Sequence, residues 1–371
     1  MVQQEQLEKV CRLIAGKAAD TEYADGGPEQ EFTWLAEAGA LEIVLPGRPL
    51  DFNQPYTPAL LRLLKEVGKA NLSVGRIFEG HINALYLIHL FARPDQKKRW
   101  YDEVIDHKAI FGVWNTQQQD GTSFSESGDV LIMQGRKTFC SGAGLLTHAI
   151  VTGDMQTNNG QGWQMSVVNM AGLAENIDRS TWKTLGMRAS CSFNVDFTGY
   201  RLAADDLLGL PGQYFEQPYF SAGAIRFAAV QLGGAESIME HGVHYLQSLK
   251  RTKDPFQQTR IARMTNDLIT GRLWLAKAGN YFDDWLQDPE KKDSLIAFAN
   301  MTRTATEEIC LRIMEDCNRC VGARGLMHPF DLERIQRDLT FYLRQPAPDA
   351  TRLDIGRFTL ENFNAFNEIG A

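Results

Sequence analysis

The chain changes its hydrophobic period twice, and that constrains its fold more than any other feature. Up to residue 108 apolar side chains recur at three- and four-residue intervals, as in Leu60, Leu61, Leu64, Val67 and then Ile77, His81, Leu85, Ile88. That spacing predicts helices over 56–70 and 74–92, with Asn71-Leu72-Ser73 supplying a cap between them. Arg93-Pro94-Asp95 breaks the second helix, and another starts over 96–105. At residue 109 the pattern becomes strand-like. A buried strand over 110–114 is followed by a polar loop over 117–128, then short strands over 130–133 and 137–140 joined by a Gln134-Gly135 turn. Further strands are expected over 149–152, 164–169 and 193–198, with turn clusters such as Asn158-Asn159-Gly160 between them. After Tyr214 the helical period returns. Ala228, Leu232, Ala235, Met239, Val243 and Leu246 form one stripe, and long helices are expected over 255–286 and 290–320. The expectation is an α+β multidomain chain: a helical N-terminal domain (1–108), a central β-domain (109–210) and a C-terminal helical bundle (211–371).

Charge and cysteine usage narrow the function. A formal net charge of −8 argues against nucleic-acid or anionic-membrane partners, which need a positive field. The N-terminal twenty residues mix charged and amide side chains with apolar ones, unlike a signal peptide. The longest apolar run, 82–92, is too short to span a bilayer. A soluble, cytoplasmic protein is expected. Six cysteines in 371 residues do not make a disulfide framework. Cys317 and Cys320 lie on a helical pattern without a second pair, and His241 and His244 lack a third ligand at metal-binding spacing. No metal is expected.

The 109–144 stretch carries a resemblance. Thr116-Gln117, then Gly121-Thr122, then Gly135-Arg136-Lys137-Thr138-Phe139-Cys140-Ser141-Gly142 are similar to signature segments of the acyl-CoA dehydrogenase superfamily. Lys183-Thr184-Leu185-Gly186-Met187-Arg188-Ala189-Ser190, Val195-Asp196-Phe197 with Leu207-Leu208-Gly209, and Val321-Gly322-Ala323-Arg324-Gly325 match later segments in order, as does Leu332–Asp338 near the end. The resemblance covers nearly the whole chain. It implies a helical domain, a central β-barrel domain and a helical bundle that forms the interface of a homodimer or homotetramer. It further implies FAD, with Thr116, Gly121, Thr122, Phe139 and Ser141 around the flavin ring and pyrophosphate, and Trp114 and Asn115 beside the ring. Hydroxyls and backbone N–H groups suit flavin carbonyls, and glycine lets backbone approach phosphate. Arg251 and Arg319, with Gly322 in its turn, are the candidates for the dinucleotide's far end.

Two departures bear on chemistry. The family's α-proton base, a glutamate after an Arg-Asp pair, falls on Gln345-Pro346-Ala347-Pro348, and its alternative position, before an arginine, is Ile225. Asp349 and Glu79, the latter on a helix that faces the substrate cavity in the family, are the substitute candidates for catalytic acid–base work. The Arg-x-x-Phe-Gly that meets the pyrophosphate is replaced here by a turn rich in Lys250, Arg251 and Lys253. The leading expectation is an FAD-dependent oxidoreductase that α,β-dehydrogenates an acyl thioester or related small molecule, with hydride transfer to flavin N5. One rival is a flavin-dependent monooxygenase on the same fold, which needs no such base. The other is a binding subunit that keeps the fold without chemistry.

Overall fold

In the computed structural model, residues 2–24, 26–128, 130–157, 160–344 and 348–369 are described. The N-terminal part comprises α1 (Val2–Thr21), α2 (Glu29–Glu37), α3 (Thr57–Ala70), α4 (Leu72–Phe91) and α5 (Pro94–His107). Asn71 caps α4 as expected, its side-chain oxygen accepting from the Ser73 and Val74 N–H groups at 2.9 and 3.3 Å. Pro94 occupies the first turn of α5, where its missing N–H costs nothing. α4 is the helix around which this part packs: Val74, Phe78, His81, Ile82, Leu85 and Ile88 are all fully buried.

The strands are β1 (Phe111–Trp114), β2 (Ser123–Ser127), β3 (Val130–Gln134), β4 (Arg136–Cys140), β5 (His148–Thr157), β6 (Gly160–Asn169), β7 (Ile177–Asp178), β8 (Phe193–Asp196), β9 (Arg201–Ala203) and β10 (Leu207–Leu208). They form a seven-stranded mixed sheet and a three-stranded one, β4-β8-β7. β5 is the spine of the larger sheet. It pairs antiparallel with β6 along its length, and its other edge pairs in parallel with β1 and then with β2. Two expectations are corrected. The polar loop over 117–128 contains a strand, β2, which its Ser-Phe-Ser-Glu-Ser composition conceals. And β3 and β4, though consecutive, do not form a hairpin. β3 pairs with β2 and β9 while β4 pairs with β8 in the other sheet, so the chain changes sheets at Gly135. Glycine is required there, because its φ is 90° and a Cβ would lie 2.3 Å from the Gly121 carbonyl oxygen. The Asn158-Asn159 turn lies outside the described residues.

The C-terminal part comprises α6 (Tyr219–Ala222), α7 (Ala224–Ser248), α8 (Pro255–Gln287), α9 (Lys292–Gly325), α10 (Leu332–Tyr342), α11 (Pro348–Glu361) and α12 (Phe363–Glu368). α7 is its axis, with Ala228, Leu232, Ala235 and Ile238 fully buried. It crosses α3 at glycines: a Cβ on Gly68 would meet the Val230 carbonyl oxygen at 2.4 Å, and one on Gly233 the Lys65 carbonyl oxygen at 2.1 Å. All six cysteines are free, and Cys317 donates to the Ile238 carbonyl across the α7–α9 contact. Among the described residues no helix is long and apolar enough to cross a membrane.

Candidate active site

β1 is hung on α4 by one histidine. His81 is wholly buried, and burial pulls its imidazole down to about 4, so it is neutral at ordinary pH. Its Nδ1 accepts the Phe111 N–H at 3.0 Å and its Nε2–H donates to the Leu41 carbonyl at 2.8 Å. His81 therefore positions the strand rather than facing a substrate. Along β1 and just beyond it, Phe111 and Trp114 are buried, Val113 and Asn115 are half-buried, and Thr116 is exposed. The Trp114 indole, expected beside a cofactor ring, is buried in this structure, and its Nε1–H donates to the Ser141 carbonyl at 3.1 Å.

Behind Asn115 and Gln117 lies a polar knot that sequence reasoning missed. Lys137 is fully buried, and its ammonium donates to the Asn115 carbonyl (3.1 Å), Gln117 Oε1 (2.6 Å) and Thr152 Oγ1 (3.2 Å). No carboxylate is among these partners, the Trp163 ring lies 4.8 Å away, and burial pulls the ammonium down to about 7. Asn115 Oδ1 accepts from Thr152 Oγ1 and Trp163 Nε1 at 2.7 and 2.9 Å. Thr122 is buried too. Its hydroxyl donates to the Thr152 carbonyl at 2.5 Å and its N–H to Gln117 Oε1, so this hydroxyl braces the loop instead of pointing outward. The signal available in the sequence was Lys137 itself, a lysine within a short strand.

The exposed face is completed by β4. Phe139 takes φ 55°, a costly conformation for a phenylalanine, and holds its ring 45% exposed, edge-on to Trp182 at 6.0 Å. Ser141 Oγ bonds Ser192 Oγ at 2.9 Å, which in turn meets Ser190 Oγ at 2.8 Å. The structure thus brings the 135–142 segment against the 182–190 segment. The latter is pinned to α10: the Met187 N–H donates to Asp338 Oδ1 at 2.5 Å, and burial pushes that carboxyl up to about 6. Of the residues expected around the ring, Thr116 and Phe139 are exposed and Gly121 and Ser141 half-buried, whereas Trp114 and Thr122 are buried. Such a face can seat a flat ring with an apolar body and polar edges.

Neither substitute base sits as a free carboxylate in this site. Glu79 is buried, with one oxygen 2.9 Å from Arg76 Nη1 and the other 3.6 Å from Arg226 Nε. Asp349, the other candidate base, is 96% exposed at the start of α11 and pairs with Arg352 at 3.4 Å. Gln345, Pro346 and Ala347 lie outside the described residues. Ile225 is buried in α7. The far-end candidates are also engaged within their own chain. Arg251 pairs with Asp254 at 2.7 Å and Arg319 with Glu315 at 2.6 Å, both near the solvent. Gly322, with φ 60° and ψ −172°, kinks α9 beside them.

Comparison with known proteins agrees with this architecture. A family model described as "Acyl-CoA dehydrogenase, C-terminal domain" matches residues 225–343. The chain is 22% identical over 392 residues to dibenzothiophene monooxygenase of Rhodococcus erythropolis, covering 95% of this chain and 92% of the relative. It is 24% identical to the mitochondrial short-chain specific acyl-CoA dehydrogenase of Sus scrofa, covering 90% and 84%. The crystal structure of FMN-bound TdsC from Paenibacillus sp. A11-2 superimposes with a TM-score of 0.88 at 20% identity, over 97% of this chain and 98% of that one. Residues 225–343 thus match the acyl-CoA dehydrogenase C-terminal domain, and the three-part chain has the fold of these proteins while its sequence diverges from theirs.

Proposed function

We propose that this protein is a flavin-dependent monooxygenase built on the acyl-CoA dehydrogenase fold. The observation that carries the reading is the state of the carboxylates. Ile225 stands before Arg226, Pro346 stands where the other glutamate would be, Glu79 is engaged by two arginines and Asp349 is in solvent. A dehydrogenase needs a free base at the α-carbon, and an oxygenase does not. The α,β-dehydrogenation that the sequence alone put first therefore ranks behind its rival, and the likeness to dibenzothiophene monooxygenase over nearly the full length supports that order.

The accessible face of β1 and β4 fits a flavin. Phe139 offers an aromatic surface already held in place by Trp182, and Thr116 and Ser141 offer hydroxyls at the rim. Arg251 and Arg319, neutralised by Asp254 and Glu315, give little to a dinucleotide's second half. We infer that FMN serves in place of the FAD expected from the family, in keeping with the FMN-bound structural neighbour. Reduced flavin, when bound, would supply the electrons that activate dioxygen. The chain's own part is to fix the ring against β1, to hold Asn115 still through Lys137 and Trp163, and to keep water from the reacting face with aromatic side chains.

The test supplies reduced FMN, labelled dioxygen and a panel of aromatic heterocycles and aryl-alkyl acids. Incorporation of one labelled oxygen atom into product is expected, together with no bleaching of bound flavin by acyl-CoA thioesters under anaerobic conditions. Anaerobic bleaching would restore the dehydrogenase. Protein that binds neither FMN nor FAD would favour the non-catalytic subunit.

A further inference from the structure

A buried guanidinium beside this site, that of Arg226, shares its one carboxylate with a second arginine and has an Nε–H without an acceptor. Arg76, Glu79, Asn83 and Tyr86 follow one another along one side of α4, and Arg226, in the first turn of α7, reaches across to them. Its Nη2 donates to Asn83 Oδ1 at 2.5 Å and its guanidinium lies 5.4 Å over the Tyr86 ring. Its Nε is buried without a hydrogen-bond acceptor, the Glu79 oxygen being 3.6 Å away. Glu79 spends its closer oxygen on Arg76. Two guanidiniums therefore share one carboxylate, and one positive charge is left over where a lone charge is costly. Asp283, on the far side of Tyr56, accepts the Thr57 N–H instead. The Tyr342 hydroxyl, also buried and unpartnered among the described residues, lies within electrostatic reach of Arg76 and Glu79.

Aromatic side chains pack close by. Tyr214, likewise within electrostatic reach of Arg76 and Glu79, packs on Phe215 and Phe220 with ring centroids at 5.1 and 5.5 Å. Phe215 in turn approaches Trp163 at 6.4 Å, and Trp163 bonds Asn115 on the β1 wall. Aromatic side chains thus run from Tyr214 to Trp163, whose indole bonds Asn115 behind the face assigned to the ring. We propose that Arg226, with Arg76, is an acid-binding subsite, and that the substrate is a small organic acid with an aromatic or otherwise apolar body. Its anionic head would accept from Arg226 Nε and the Tyr342 hydroxyl, and its body would lie along the Tyr214–Phe215–Phe220 cluster. The inference rests on the flavin assignment only for which end of the acid reacts.

Titration calorimetry of the flavin-loaded protein with 3-phenylpropanoate and its uncharged isostere 3-phenylpropanamide tests it. The acid is expected to bind at least about tenfold tighter, about 1.4 kcal/mol, and its affinity to fall between roughly 50 and 500 mM salt while the amide's does not. Asn83→Asp, which sets a second carboxylate on Arg226 with almost no change of shape, is expected to erase the preference while flavin affinity and circular dichroism stay as in the wild type. Arg226→Gln should do the same, with Arg226→Lys intermediate. Equal binding of acid and amide, binding of neither, or an unchanged preference in a folded Asn83→Asp variant would overturn the proposal. Acid binding without oxygenated product would sink the monooxygenase reading alone. Oxygenation of neutral compounds with no preference for the acid would sink the subsite alone.

Discussion

Lys137 shows what one side chain decides at this site. Its ammonium is wholly buried among three neutral oxygens, and burial pulls it down to about 7 from an ordinary value of 10.5. Between those two pH values the unfolded chain binds the proton and the folded chain does not. Folding therefore becomes more favourable as pH rises through that window, and the penalty is fully present below it. The gap corresponds to on the order of a few kcal/mol, part of which the hydrogen bonds offset. Melting temperatures of the wild type and Lys137→Met, compared from about pH 7 to 10, should diverge in slope, with the wild type gaining relative to the variant. Parallel curves would mean that the lysine stays charged in the fold. That Asn115 follows a buried strand and that Phe139 lies in another was legible because strand pattern is a local property. The inward turn of Trp114 and Thr122 was not, since a one-residue error in register reverses every side chain.

Among elements, the helices were the most legible. α3, α4 and α7 coincide with their apolar stripes because a 3.6-residue period over many turns is a strong signal. β2 was missed because its exposed serines and glutamate look like a loop, and only pairing with β3 and β5 makes it a strand. The close crossing of α3 and α7 was likewise invisible, though Gly68 and Gly233 were in plain view. It carries a prediction: Gly68→Ala drives a methyl into the Val230 backbone and should destabilise by about 1–3 kcal/mol or more, read from denaturant unfolding. A variant as stable as the wild type would show that the two helices can separate freely. Gly47→Ala is no control for this, since its φ is 76°, but Gly16→Ala on α1, where a Cβ meets nothing, should be neutral or stabilising.

At the scale of the whole molecule, α8 presents apolar side chains to water. Ile269 and Leu273 are 46% and 66% exposed, beside a groove of about 320 Å³ lined by Leu273, Trp274, Phe298 and Phe366. A patch of this kind is costly to leave bare, and we propose that a second copy of the chain covers it. Sedimentation velocity should therefore find an oligomer, and Leu273→Glu should shift it toward smaller species while each chain stays folded. A wild-type monomer at micromolar concentration would refute this. The order of helical, strand-bearing and helical parts was determined by sequence alone, because hydrophobic periodicity is written within each segment. What each polar group does was decided only by tertiary structure. Asn83 and Arg226 are 143 positions apart, Glu79 became an ion-pair partner through Arg76 and Arg226, and β4 left β3 for β8. Charge compensation and strand pairing depend on which surfaces meet in space, and local spacing does not encode that meeting.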